Sequence, residues 1–194
     1  MAALLGGRLD TPSYCLLLVN LEPIYRKLEA GLMRNAHHCG ITPILFPSLF
    51  RSRALQTDLE SLSGSSWRDR CRILPASVDY VSHLNVIEEQ QPELLAAHAY
   101  VRYLGDLSGG QMLKKIVAGS LQLQAGHGGT DFYDFGEPAE VARLSQAFRA
   151  GLNALKSGEC VVAEALIAFE MHARLFDELA KACGLAPKDV KAAL

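Results

Sequence analysis

Arg102, Gly105, Asp106, Gly109 and Leu113 follow one another at intervals of three or four residues, which on a helix puts them within about 100° of arc. One face would then carry a guanidinium, a carboxylate and two positions without side chains. Each glycine costs roughly 1 kcal/mol relative to alanine in a helix interior, so a pair on one face asks for a compensating use. A bare helix face lets a flat, bulky ligand approach the backbone, and glycine also permits a kink. Asp106 would project beside that ligand. A plainer reading stays open: Gly105 ends one helix, Asp106 or Ser108 caps the next, and Gly109-Gly110 is a turn.

The elements that must position these residues all read as helices. Asp10-Thr11-Pro12 is a helix start, with Thr11 able to cap free N–H groups and Pro12 at the first helical position. The stripe Tyr14, Leu17, Leu18, Leu21, Ile24, Tyr25, Leu28, Leu32 predicts one buried face to about Arg34. Pro23 should kink or break that helix near Leu21. Further helices are predicted from Leu49 to Leu62, from Ala76 to about Glu89, and from Pro92 toward Leu123 with interruption by glycines. Gln124 to Glu137 reads as an exposed connection, Pro138 restarts a helix ending near Ser157-Gly158, and Cys160 to Cys183 forms the last long one, stopped by Gly184. No segment alternates in the manner of a strand, so the expected class is all-α.

A chain of 194 residues, 49% hydrophobic and 21% charged, suits one domain with one core. We expect that domain to span 1–194, with its core in 1–183 and a short tail in 184–194. A net charge of −2 with mixed signs argues against nucleic acid as a partner and against a polybasic anchor. No apolar run approaches the roughly 20 residues of a membrane span. Five scattered cysteines without a C-x-x-C pair argue against a disulfide framework and a zinc knuckle, and the expected location is the cytoplasm. Adjacent His37 and His38 diverge on a helix and read as a solvated helix end, so no metal-ligand residue is assigned.

The run Glu93-Leu94-Leu95-Ala96-Ala97-His98-Ala99-Tyr100-Val101-Arg102-Tyr103-Leu104-Gly105-Asp106-Leu107-Ser108-Gly109-Gly110-Gln111 closely resembles the distal-helix signature of haem oxygenases. Ile24-Tyr25-Arg26-Lys27-Leu28-Glu29 is similar to the family's early helix, and Ala168-Phe169-Glu170-Met171-His172-Ala173-Arg174-Leu175-Phe176 to its late one. The likeness extends from Met1 to about Cys183. It implies an all-α, haem oxygenase-like helical bundle with a glycine-kinked distal helix. The implied reaction opens haem to biliverdin, CO and ferrous iron, using O2 and reducing equivalents from an electron-donating reductase or a ferredoxin, with haem as both substrate and cofactor.

On the same resemblance, Asp106, Arg102 and Tyr25 form the catalytic network that directs protons on the distal side. Gly105, Ser108, Gly109, Gly110, Tyr100, Arg149, Phe169 and Phe176 would bind haem, Arg149 by pairing with a propionate. Taken singly, a structural salt bridge for Arg102 and a core position for Tyr25 are the commoner explanations. Ser145 stands where the family often has a lysine one turn before the arginine, and His172 where some members have asparagine, which suggests a solvent-linked polar role for it. The family's proximal histidine would fall upstream of residue 1, so the chain reads as an N-terminally shortened haem oxygenase. The competing function is a non-catalytic haem carrier or sensor. A third reading is an all-α domain whose motif only kinks a helix.

Overall fold

In a computed structural model of the chain, the residues described are 10–70, 72–123, 128–156 and 158–184. The opening Met1 to Arg8 segment, His127 and the tail beyond Gly184 lie outside them. The described elements are α1 (Thr11–Arg34), α2 (Ser52–Ser63), α3 (Trp67–Arg70), α4 (Pro75–Gln90), α5 (Leu95–Ser120), α6 (Pro138–Asn153) and α7 (Gly158–Ala182), with single 3₁₀ turns at Thr42–Ile44, Pro47–Leu49, Pro92–Leu94 and Asp131–Tyr133. Among the described residues there is no strand, as the all-α expectation requires. None of these helices is long and apolar enough to cross a membrane.

Every residue of the predicted α1 stripe is buried, and α1 packs against α2, α4 and α5, while α5 lies along α7. The helix starts differently from its sequence reading. Asp10 is the cap, its carboxylate accepting the Ser13 N–H at 2.9 Å, and Thr11-Pro12 are already helical. Pro23 does not break α1, which runs unbroken to Arg34. Proline removes one helical hydrogen bond, and the buried turns on either side, from Leu17 to Tyr25, hold the helix through their packing.

Two buried polar residues of α1 cap other helices from outside. The Glu29 carboxylate accepts the Ser52 N–H at 3.1 Å, the Arg51 N–H at 2.5 Å and the Ser52 hydroxyl, supplying α2 with the cap that its own flanking residue lacks. Helix α2 therefore begins at Ser52, after the Pro47–Leu49 turn, rather than at Leu49. Asn20 accepts the Leu74 N–H at 2.7 Å ahead of α4 and donates to the Arg72 carbonyl at 3.1 Å.

The 128–137 part of the predicted exposed connection is instead partly core. Phe132, Tyr133 and Phe135 are buried, and Asp58 of α2 accepts the Asp131 and Phe132 N–H groups at 2.8 Å each. Arg51 donates to the Asp134 carbonyl at 2.6 Å and lies 4.1 Å from the Phe135 ring centroid. Helix α6 ends at Asn153, short of Ser157-Gly158. Gly184, at φ +67°, follows α7 as a glycine stop.

Glu88 ties α4 to α1, receiving Lys27 at 2.5 Å and Arg34 at 2.6 and 2.8 Å. The Arg34 guanidinium, joined by Lys27, holds its carboxyl down at about 2 against an ordinary 4.5. A carboxyl depressed in the fold contributes stability above its unfolded pKa and loses it as pH falls. Thermal unfolding followed from neutral pH to about 2 should therefore show the parent losing stability below about 4.5, with a shallower loss in Glu88→Gln. Equal pH slopes in the two proteins would contradict this role for the pair.

Candidate functional site

Helix α5 runs unbroken through Gly105, Gly109 and Gly110, so the reading of two helices joined by a glycine turn does not hold. The glycines differ in what surrounds them. A Cβ on Gly105 would meet nothing within 4 Å, and one on Gly109 only the tip of Leu113 at 3.7 Å. A Cβ on Gly110 would come within 3.0 Å of the Tyr133 carbonyl oxygen. The protein's own packing thus crowds Gly110, whereas nothing crowds Gly105. Gly105 is exposed on a helix that would be more stable with alanine there.

Beside Gly105 the helices bring three predicted residues into contact. The Tyr25 hydroxyl, from α1, donates to Asp106 Oδ2, and Arg102 donates to that same hydroxyl from Nε at 2.9 Å and Nη2 at 2.7 Å. Arg102 Nη2 stands 3.8 Å from Asp106 Oδ1. All three side chains are buried. Phe132 packs edge-on against Tyr25 with centroids 5.4 Å apart, so the segment after α5 backs the tyrosine that the network turns on. Neither composition nor periodicity marked Phe132 for this task.

Burial pushes the Asp106 carboxyl up, while the Arg102 charge and the Tyr25 hydrogen bond pull it back. Burial likewise raises the Tyr25 hydroxyl far above its usual range. For Arg102 burial works against the charge, but Tyr25, Asp106 and Tyr80 outweigh it and the guanidinium stays protonated. The arrangement is a fixed cation holding a hydroxyl whose proton is aimed at a carboxylate. Asp106 Oδ1 keeps acceptor capacity for water.

His172 joins the same network from α7. Its Nδ1 accepts from Arg102 Nη1 at 2.6 Å, and its ring meets Phe176 edge-on at 4.5 Å. Burial first, then the Arg102 charge, holds its pKa well down, so the imidazole is neutral and joins the network as an acceptor while its side chain stays partly exposed. Its spacing carried the signal: Phe169, His172 and Phe176 lie three and four residues apart on one face of α7.

Two cavities flank these groups. One of about 130 Å³ is lined by Arg102, Gly105, Asp106, Leu113, His172 and Phe176 among others. The second, about 650 Å³, is lined by Tyr100 and Leu104 of α5, Arg149 of α6 and Phe169 of α7 among others. Tyr100 and Phe169 meet edge-on at 6.4 Å. Of the predicted residues, Arg102, Gly105, Asp106 and Phe176 line the first opening and Tyr100, Arg149 and Phe169 the second, while Tyr25, Gly109 and Gly110 line neither. Ser108 is exposed and lines neither of them. Arg149 is exposed and makes no ion pair among the described residues, leaving its guanidinium available to an anion.

The family model described as "Heme oxygenase" matches residues 1–178. A heme oxygenase of Pyropia yezoensis is 42% identical over 179 residues, covering 90% of this chain and 75% of that protein. Heme oxygenase 1 of Synechocystis is 37% identical over 179 residues, covering 90% and 74%. Two crystal structures are similar throughout. Heme oxygenase-2 of Synechocystis, in complex with heme and NO, matches with a TM-score of 0.88 at 35% identity, over 94% of this chain and 77% of that one. Heme oxygenase-1 of the same organism, in complex with heme, matches at 0.84 and 36%, over 94% and 85%.

Because nothing packs on Gly105, Gly105→Ala should raise stability in the absence of ligand, by about 1 kcal/mol. Denaturant unfolding tests this directly. A loss of stability in that variant would mean that Gly105 serves the fold and not a ligand.

Proposed function

This chain belongs to the haem oxygenase family, and from that premise we propose how its residues divide the work of the family's reaction, the opening of haem to biliverdin. The observation that carries the proposal is the unfilled Gly105 face lying directly beside the buried Tyr25–Asp106–Arg102 network. Gly105 and Gly109 leave α5 bare for the flat face of haem. Tyr100, Phe169 and Phe176 supply aromatic walls, and Arg149 offers a guanidinium to a propionate.

Haem supplies the iron at which O2 is activated and the ring that is opened. The protein's part is positioning and protons. Asp106 accepts from Tyr25 and, through Oδ1, orders water on the open side of α5. Arg102 stays charged, so it fixes the hydroxyl and carboxylate without competing for the transferred proton. His172, neutral, holds the far end of Arg102. Reducing equivalents come from a reductase or a ferredoxin. Cys39, Cys160 and Cys183 are free thiols, which supports a reducing compartment, the cytoplasm.

The test is to add haem and a reductase system to the chain under air. The expected result is replacement of the Soret band by biliverdin absorption, whereas a persistent Soret band would favour the non-catalytic carrier. Gly105→Ala should bind haem less tightly than the parent despite its gain in stability. Arg149→Ala should weaken haem affinity or alter the mixture of biliverdin isomers, because a charge-assisted hydrogen bond contributes roughly 1.5–3 kcal/mol. Unchanged affinity together with an unchanged isomer ratio would make Arg149 a surface residue only.

A further inference from the structure

About two turns before Gly105 on the same face of α5, three more ionisable side chains converge. His83 of α4, His98 of α5 and Glu164 of α7 bring their ligand atoms within 4.8 Å of one another. His83 Nε2 lies 2.6 Å and His98 Nε2 2.9 Å from Glu164 Oε1. We propose that these residues form a binding site for a divalent transition-metal ion, with the two imidazole Nε2 atoms and the Glu164 carboxylate as ligands.

The donor set selects the class of ion. Two imidazoles and one carboxylate suit zinc and its first-row neighbours, whereas calcium and magnesium take oxygen ligands. Bonds of 2.0–2.2 Å in a tetrahedral site put ligand atoms about 3.3 Å apart, so from their 2.6 and 2.9 Å the His83 and His98 nitrogens withdraw from Oε1 by about 0.7 and about 0.4 Å. Glu164 supplies one negative charge, and His98 and Glu164 are buried while the His83 side chain is 26% exposed. The site thus has a rigid inner side and an opening to solvent at His83, where ions can enter and water can complete the coordination.

His98 also has the outer partner that a metal-binding imidazole needs. Its Nδ1 lies 3.0 Å from the Tyr80 hydroxyl. Without metal, Nε2–H donates to Glu164 and the hydroxyl donates to Nδ1. With metal on Nε2, the proton moves to Nδ1 and the same hydroxyl accepts it, so neither state strands a buried polar group. The ligands come from three helices, and a bound ion would pin α7, which carries His172 and Phe176, against α4 and α5.

Titration of the haem-free chain with Zn2+ against a chromophoric chelator, under reducing conditions, tests the proposal independently of haem turnover. We expect one equivalent to bind at this site, a rise in Tm as it does so, and a loss of affinity of roughly tenfold or more in His83→Gln and in Glu164→Gln. Should Glu164→Gln unfold, His83→Gln at the partly exposed edge decides the matter. Co2+ in place of Zn2+ should show ligand-field bands without thiolate charge transfer. Absence of one-equivalent binding, unchanged affinity in His83→Gln, or a thiolate band implicating Cys39 or Cys160 would each overturn the assignment.

Discussion

The buried charge of Arg102 is the constraint to which the rest of the site conforms. Removing a guanidinium from water costs several kcal/mol unless partners replace the solvent, and removing one partner of a buried pair costs about 3–5 kcal/mol. Here the partners come from three helices: Tyr25 from α1, Asp106 from α5 itself and His172 from α7. Each helix is therefore fixed in register by the need to keep Arg102 satisfied. Glu29 and Asn20 extend the same economy, since the polar groups that α1 buries are those that cap its neighbours. The precision of the site is a consequence of how the bundle avoids unpaired charge.

Against that rigid interior, the Gly105 face is conspicuous for what it leaves out. The Tyr133 carbonyl crowds Gly110, but Gly105 has open space where a side chain would be. A helix that forgoes stability at an exposed position, next to a carboxylate held ready by a hydroxyl, fits a surface shaped for a ligand and not for the fold alone. Tyr100, Phe169 and Phe176 make the same point from the aromatic side, each partly exposed along α5 or α7. Stability and function thus pull in opposite directions within one turn of helix.

Much of this was legible in the chain itself. The α1 stripe and the i, i+3, i+4 spacing of Arg102, Gly105, Asp106 and Gly109 report helix faces, because helical periodicity is written locally. The fold class followed from it, and the distal network from the family resemblance of the long matching signature. What stayed hidden depends on partners distant in sequence. Phe132 reads as part of a polar loop until Asp58 and Tyr25 are seen beside it. The bond between His172 and Arg102, 70 residues apart in sequence, is likewise visible only in the fold. At Pro23 the break is excluded, since α1 continues to Arg34 with buried turns on both sides. His83, His98 and Glu164 gave no spacing signal, being drawn together by the bundle.

The account rests on Asp106 acting on protons and not merely balancing Arg102. Its most direct test is single-turnover biliverdin formation in Asp106→Ala, with haem affinity measured on the same sample. The account predicts haem binding close to that of the parent and biliverdin formation slower by roughly a hundredfold or more, the scale of a lost proton-transfer group. Biliverdin formation at the parent's rate in that variant would contradict it.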